Sequence, residues 1–149
     1  MSFLFYEIEY SKRHYFNGDI SKWNVSNVTN MQRLFYFCNS FNNQLNDWDV
    51  SNVTNMEGMF FDCGKFNKPL NDWDVSNTED MGAMFSDCKS FNQDISQWNV
   101  SKVTNMDGMF CQCKKFNQDL SSWNVSKVTN SGSMFYKCPI EEKYKPKFN

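Results

Sequence analysis

The five tryptophans of this 149-residue chain, Trp23, Trp48, Trp73, Trp98 and Trp123, stand 25 residues apart with no insertion or deletion between them. Five cysteines keep the same step, Cys38, Cys63, Cys88, Cys113 and Cys138, and so do the phenylalanines Phe35, Phe60, Phe85, Phe110 and Phe135. A second phenylalanine series runs through Phe16, Phe41, Phe66, Phe91 and Phe116, and a valine followed by serine recurs from Val25 to Val125. Self-similarity at this period is the mark of a repeat architecture, in which one unit cannot bury its own apolar face and neighbours bury it for each other. Equivalent side chains then lie over one another in ladders. An aromatic content of 17% supplies the material for a packed interior and argues against a disordered chain.

Two spacings alternate inside each coil. Met56, Met59, Phe60 and Cys63 fall at i, i+3, i+4 and i+7, the apolar stripe of a short helix, with Thr54 or Asn55 available as N-cap. Trp48 and Val50 alternate with Asp47, Asp49 and Ser51, as in a strand that buries every second side chain. The pattern predicts an α/β repeat of five coils, each with one short parallel strand and one short helix or 3-10 turn. Asn17, Asn42, Asn67, Asn92 and Asn117 follow the second phenylalanine series, where their side chains can satisfy backbone groups at a corner and form an asparagine ladder.

Departures from the frame mark the ends. Ser131 stands where Met31, Met56, Met81 and Met106 stand in earlier coils, and Glu141 takes the place of the next phenylalanine. The expected organisation is an N-terminal cap over residues 1–15, the repeat over 16–138 and a polar C-terminal tail over 139–149. No apolar run reaches the length of a membrane helix, and the first residues lack the basic and apolar regions of a signal peptide, so a cytoplasmic or virion-associated location is favoured over secretion. A single histidine, His14, and the lack of a glycine-rich phosphate loop leave little for acid–base or nucleotide chemistry. The expectation is therefore a protein that is not an enzyme, with no catalytic residue, no cofactor and no small-molecule substrate.

The run from Phe91 to Cys113, with its Phe-Asn-Gln-Asp, Trp-Asn-Val-Ser and Val-Thr-Asn-Met elements, resembles the bacterial surface protein repeat family, a domain of unknown function akin to BspA-type leucine-rich repeats. The resemblance covers about residues 16–138 and departs at Thr78-Glu79-Asp80, at Pro69 and at the cysteine positions. It implies a right-handed, leucine-rich-repeat-like solenoid used for surface display and protein contacts, found in bacterial surface proteins, protists and large DNA viruses. It implies no catalytic residue.

Among the side chains that invite chemistry, the five in-frame cysteines read as small buried hydrophobes, whereas Cys111, two residues before Cys113, points off the core. Neither disulfide nor zinc spacing is present, so no metal site is expected. Asp19, Asp94 and Asp119 suggest a calcium ladder that Gln44 and Pro69 interrupt, which leaves an ion-binding or ligand-binding repeat as a third reading. Charge is uneven along the chain. Residues 1–99 carry 7 Lys and Arg against 13 Asp and Glu, a net of −6, while residues 100–149 carry 8 against 4, a net of +4. The basic end, with Lys114, Lys115, Lys137, Lys143, Lys145 and Lys147, is the candidate surface for an acidic protein partner or a second copy. Further candidates for contact are Gln32, Glu57 and Asp107 beside the apolar stripe and Lys22, Asp47, Asp72 and Gln97 beside Trp. Nucleic acid is not expected, because exposed aromatics are not interleaved with the lysines. The leading expectation is a structural or adhesive protein–protein interaction module, and the alternative is a minor structural component of a large assembly such as a virus capsid.

Overall fold

A computed structural model describes residues 10–148. Among them the chain forms a stack of coils in which each residue lies against its counterpart 25 positions on, yet hardly any of it is regular secondary structure. One α-helix, α1 (Tyr10–His14), precedes the first coil and one 3-10 turn, Glu142–Tyr144, follows the last. Isolated parallel bridges join Asn30 to Asn55, Asn55 to Asp80, Asp80 to Asn105 and Asn105 to Asn130. The expected α/β leucine-rich-repeat-like solenoid, with a strand and a helix per coil, is therefore not what this chain forms.

The segment expected to be helical shows why. The N–H groups of Met56, Gly58, Phe60 and Asp62 donate to carbonyls of the following coil, those of Asp80, Gly82, Met84 and Ser86, at 2.8–2.9 Å. The N–H groups of the intervening Met59, Phe61 and Cys63 donate back three residues, to Met56, Gly58 and Phe60, at 2.9–3.1 Å. Alternate residues thus serve the neighbour and the coil itself. A helix would spend all its donors internally and leave the next coil's carbonyls unsatisfied at a buried contact. Three overlapping tight turns produce the same i, i+3, i+4, i+7 placement of apolar side chains, so the stripe reads alike in sequence. The first and last turn put their third residue at positive φ, +60° at Gly58 and +54° at Asp62, as a type II turn requires. Equivalent positions are Arg33, Phe37, Ala83, Asp87, Gly108, Gln112 and Lys137, mostly without the glycine that signals such a turn.

The expected strand fails for a related reason. Trp48 and Val50 do face inward, but Trp48 N–H closes a turn on Leu45 O at 3.0 Å and Val53 N–H closes one on Val50 O at 2.9 Å, leaving no room for a ladder between them. The indole links the coils instead. Nε1 of Trp48, Trp73, Trp98 and Trp123 donates to the carbonyl 28 residues earlier, that of Ile20, Leu45, Leu70 and Ile95, at 2.8–3.3 Å.

Between the two sides runs a continuous apolar interior. Phe35, Phe60, Phe85, Phe110 and Phe135 stack in one column with ring centroids 5.4–5.9 Å apart. Phe16, Phe41, Phe66, Phe91 and Phe116 stack in a second at 5.8–6.0 Å, and the columns touch at 4.2–4.3 Å within each coil. Offset stacked rings of this kind add to the transfer free energy of burial. On the corner, Asn17, Asn42, Asn67 and Asn92 each accept, at Oδ1, the N–H of the asparagine one coil on, at 2.9–3.0 Å. Asn117 does the same for Glu141 N–H at 2.9 Å, so the asparagine ladder runs into the C-terminal segment.

Both ends are occupied differently from the interior. The expected N-terminal cap falls largely on residues 1–9, outside the described residues. Within the described part, Ser40 N–H donates to His14 O at 3.0 Å, and Arg13, only 9% exposed, takes the frame position that cysteines hold in later coils. At the other end the segment after Cys138 turns back on the last coils. Leu120 N–H donates to Tyr144 O at 2.8 Å, and Ile140 and Pro146 are buried.

Candidate functional site

Most side chains that carry chemistry are consumed by the stack. Sγ of Cys63, Cys88, Cys113 and Cys138 donates to a backbone carbonyl of an earlier coil, that of Phe35, Phe60, Phe85 and Phe116, at 2.9–3.5 Å. Burial pushes the Cys38 thiol up to about 12, against the opposing charge of Arg13, and pushes Cys63, Cys88 and Cys113 well above the ordinary thiol range. Thiolate is the reactive form, so these thiols are inert at neutral pH. All six cysteines are free, and Cys111 is half-buried.

The carboxylates are used in a similar way. Asp19, Asp94 and Asp119 each accept, at Oδ1, the N–H of the serine two residues on, at 2.9–3.0 Å, and these bonds hold their carboxyls below the usual range. Asp49 and Asp74 make the same turn with Ser51 and Ser76. Each carboxylate caps its own corner, and no group of three or more metal-ligating side chains converges among the described residues. Where Gln44 and Pro69 interrupt the aspartate column, Ser21, Gln44, Asn46, Asp47 and Pro69 line a cleft of about 220 Å³. Asn46 is tied there to Asp72, donating from Nδ2 at 2.5 Å and accepting Asp72 N–H at 3.1 Å.

The tryptophans divide into two classes. Trp48, Trp73, Trp98 and Trp123 are 3–5% exposed, and Trp23, at the first coil, is 40% exposed. Phe35, Phe60, Phe85 and Phe110 are buried, whereas Phe135 and Cys138 are only partly covered, as members of the last coil. Of the six basic-end lysines, Lys143 pairs with Glu141 at 2.9 Å and Lys145 with Glu142 at 2.6 Å. Lys114, Lys115, Lys137 and Lys147 are exposed and form no ion pair among the described residues. Lys137 places its ammonium 5.2 Å from the centre of the Tyr136 ring. Among the other candidates, Gln32 and Arg33 both bond the Glu57 carboxylate, the latter at 3.1 Å, and Asp107 accepts Ser133 N–H at 2.9 Å. Lys22, Asp47, Asp72 and Gln97 are exposed.

One feature of this surface escapes residue-type reasoning. In the coils that begin at Met31, Met56, Met81 and Met106, backbone N–H groups along the turn face donate to the coil that follows. In the last coil the equivalent N–H groups of Ser131, Phe135 and Lys137 have no acceptor among the described residues. The sequence signal for this edge is Ser131 itself, the first departure from methionine in the frame.

Neither a curated protein nor a solved structure matches the chain. A family model matches residues 1–88 and again residues 70–144, so that two copies of it span the coils end to end. The chain is a repeat protein belonging to the family described as Mycoplasma protein of unknown function, DUF285.

Proposed function

We propose that this repeat domain is a non-enzymatic protein–protein interaction module, a structural or adhesive element whose interior serves only to hold a surface in place. The observation that carries this reading is the use made of its polar side chains. The thiols of Cys63, Cys88, Cys113 and Cys138, the indoles of Trp48, Trp73, Trp98 and Trp123, the ladder asparagines and the corner aspartates are bonded to backbone of their own or a neighbouring coil, so most of the groups from which a nucleophile or a general base would be drawn are already occupied. What varies between coils is outside, and the basic end with Lys114, Lys115, Lys137 and Lys147 is the region with charge to spare. An acidic protein surface is its complement. Display on a cell surface, as in BspA-type repeat proteins, belongs to the same reading and rests on the repeat elements of the sequence. The reading as a minor part of a capsid held by its C-terminal tail has less support, because that tail is engaged with its own last coils through Leu120 and Asn117.

The test is a binding assay on the purified chain, with poly-L-glutamate and poly-L-lysine as probes, repeated with Lys114, Lys115, Lys137 and Lys147 all changed to Glu. Retention of poly-L-glutamate that weakens with salt and is lost in the variant is the expected result. Equal retention by both proteins, or turnover of any substrate by the purified chain, would overturn the reading.

A further inference from the structure

The last coil ends in a row of donors. In the preceding coil Met106, Phe110 and Gln112 donate their N–H groups to Asn130, Met134 and Tyr136 at 2.7–2.9 Å. One coil on, the N–H groups of Ser131, Phe135 and Lys137 take the same frame positions and find no carbonyl among the described residues. Ser133 differs, its N–H being turned to the Asp107 carboxylate at 2.9 Å. The C-terminal segment bonds the coil at Asn117 and Leu120, and its Lys145 ammonium lies 5.9 Å from the Phe135 ring. The exposed Tyr136 and Lys137 belong to the row, Tyr136 being 57% exposed, and the exposed Lys127 stands four residues before Ser131 in the chain.

We propose that the edge carrying the N–H groups of Ser131, Phe135 and Lys137 docks an acidic peptide, whose carbonyls complete the hydrogen-bond row as a further coil would. This deepens the interaction reading above and rests on it. An edge with unpaired main-chain groups is a template for added strand-like backbone. Here the edge offers three donors against one open acceptor, the Thr129 carbonyl, whose counterparts in earlier coils accept an N–H of the coil that follows, so two copies meeting edge to edge would set most of these N–H groups against one another. Aligned N–H groups present partial positive charge, and the lysines add full charges in a region whose net is +4, which selects an acidic segment over a neutral one.

The probe is a labelled synthetic peptide of residues 52–62, which includes Glu57 and Asp62 and whose Asn55, Glu57, Met59 and Phe61 carbonyls accept this type of row inside the chain. Binding is read by fluorescence anisotropy and located by amide hydrogen exchange. Saturable binding is expected, with the Ser131, Phe135 and Lys137 amides slowed by at least about tenfold. Lys127→Glu and Lys137→Glu, both at exposed positions, each weaken binding by about 3- to 5-fold, as does a peptide with Glu57→Lys and Asp62→Lys. Binding that protects only amides near Lys114 and Lys115 would overturn the edge while supporting the interaction reading. No binding of this peptide below about 1 mM, together with no retention of poly-L-glutamate, would overturn both. Protection of the same three amides without peptide, rising with protein concentration alongside dimers in sedimentation, would replace the peptide with a second copy and overturn the proposal.

Discussion

Phe85 and Phe135 occupy the same frame position in the middle and at the end of the stack, and the difference between their alanine variants measures what stacking contributes. Phe85 is fully buried and faces Phe60, Phe91, Trp98 and Phe110. Phe135 is half-buried and its one recorded ring partner is Phe110, at 5.9 Å. Full burial of a phenylalanine side chain stabilises by about 2.5 kcal/mol, and each ring pair adds about 0.5 kcal/mol. Phe85→Ala should then cost about 4.5 kcal/mol, inside the range of about 3–5 kcal/mol for such truncations. Half the burial and one ring pair put Phe135→Ala at about 2 kcal/mol. Urea unfolding followed by tryptophan fluorescence and by far-ultraviolet circular dichroism gives both values. In a one-dimensional array the central variant should also separate the two probes, because the coils on either side of the defect lose their coupling. Equal costs for the two variants, or a Phe85→Ala cost below about 2 kcal/mol, would refute the argument that coils derive their stability from their neighbours.

Four further outcomes follow from the same geometry. Asn67→Ala removes the acceptor of Asn92 N–H at 3.0 Å and of Gln93 Nε2 at 2.9 Å, and should cost about 1–2 kcal/mol in thermal unfolding, while Asn67→Asp, which keeps the acceptor, should recover most of it. Unfolded thiols lose their protons near pH 8.5 whereas folded Cys38 holds its proton to about 12. The folded state binds more protons in that window, so stability should fall as pH rises from about 9 towards 12, by up to about 1.4 kcal/mol per pH unit for each such thiol, and Cys38→Ala should lessen the slope. In native protein Cys111 should react first with a thiol reagent, and labelling of Cys63, Cys88 and Cys113 faster than global unfolding would refute their assignment as buried donors. Ala83 sits at φ +51°, where its Cβ is strained, so Ala83→Gly should stabilise by about 0.5–1 kcal/mol despite the greater chain entropy, and a drop in melting temperature would contradict the backbone description.

The coil period was legible from tryptophan alone, and so was the asparagine ladder, because identical residues at one frame position must meet in any stacked arrangement. The path of the backbone within a coil was not. Met56, Met59, Phe60 and Cys63 have helical spacing, but three successive turns give it too, and what decides between them is where Met56, Gly58, Phe60 and Asp62 send their N–H groups. That depends on the neighbouring coil, which local pattern reading does not include. Glycine at Gly58 and Gly108 hinted at the left-handed positions, whereas Arg33, Ala83 and Phe37 concealed them. Of the basic end, the sequence displayed six lysines, and two of them turn out to be tied to Glu141 and Glu142 by a fold of the C-terminal segment that composition does not announce. The donor edge involves main chain, and its one mark in the sequence is Ser131 in place of methionine.

The unbroken spacing from Trp23 to Trp123 makes length a countable quantity for this molecule. Excising residues 64–88 would bring Cys63 directly before Lys89, a junction at which each side chain meets a counterpart of the same frame position. Duplication of such a block would lengthen the rod by one layer and leave both termini as they are. Reach would then be altered in whole steps without redesigning either interface, an economy that a fold built around a closed, centred interior does not possess.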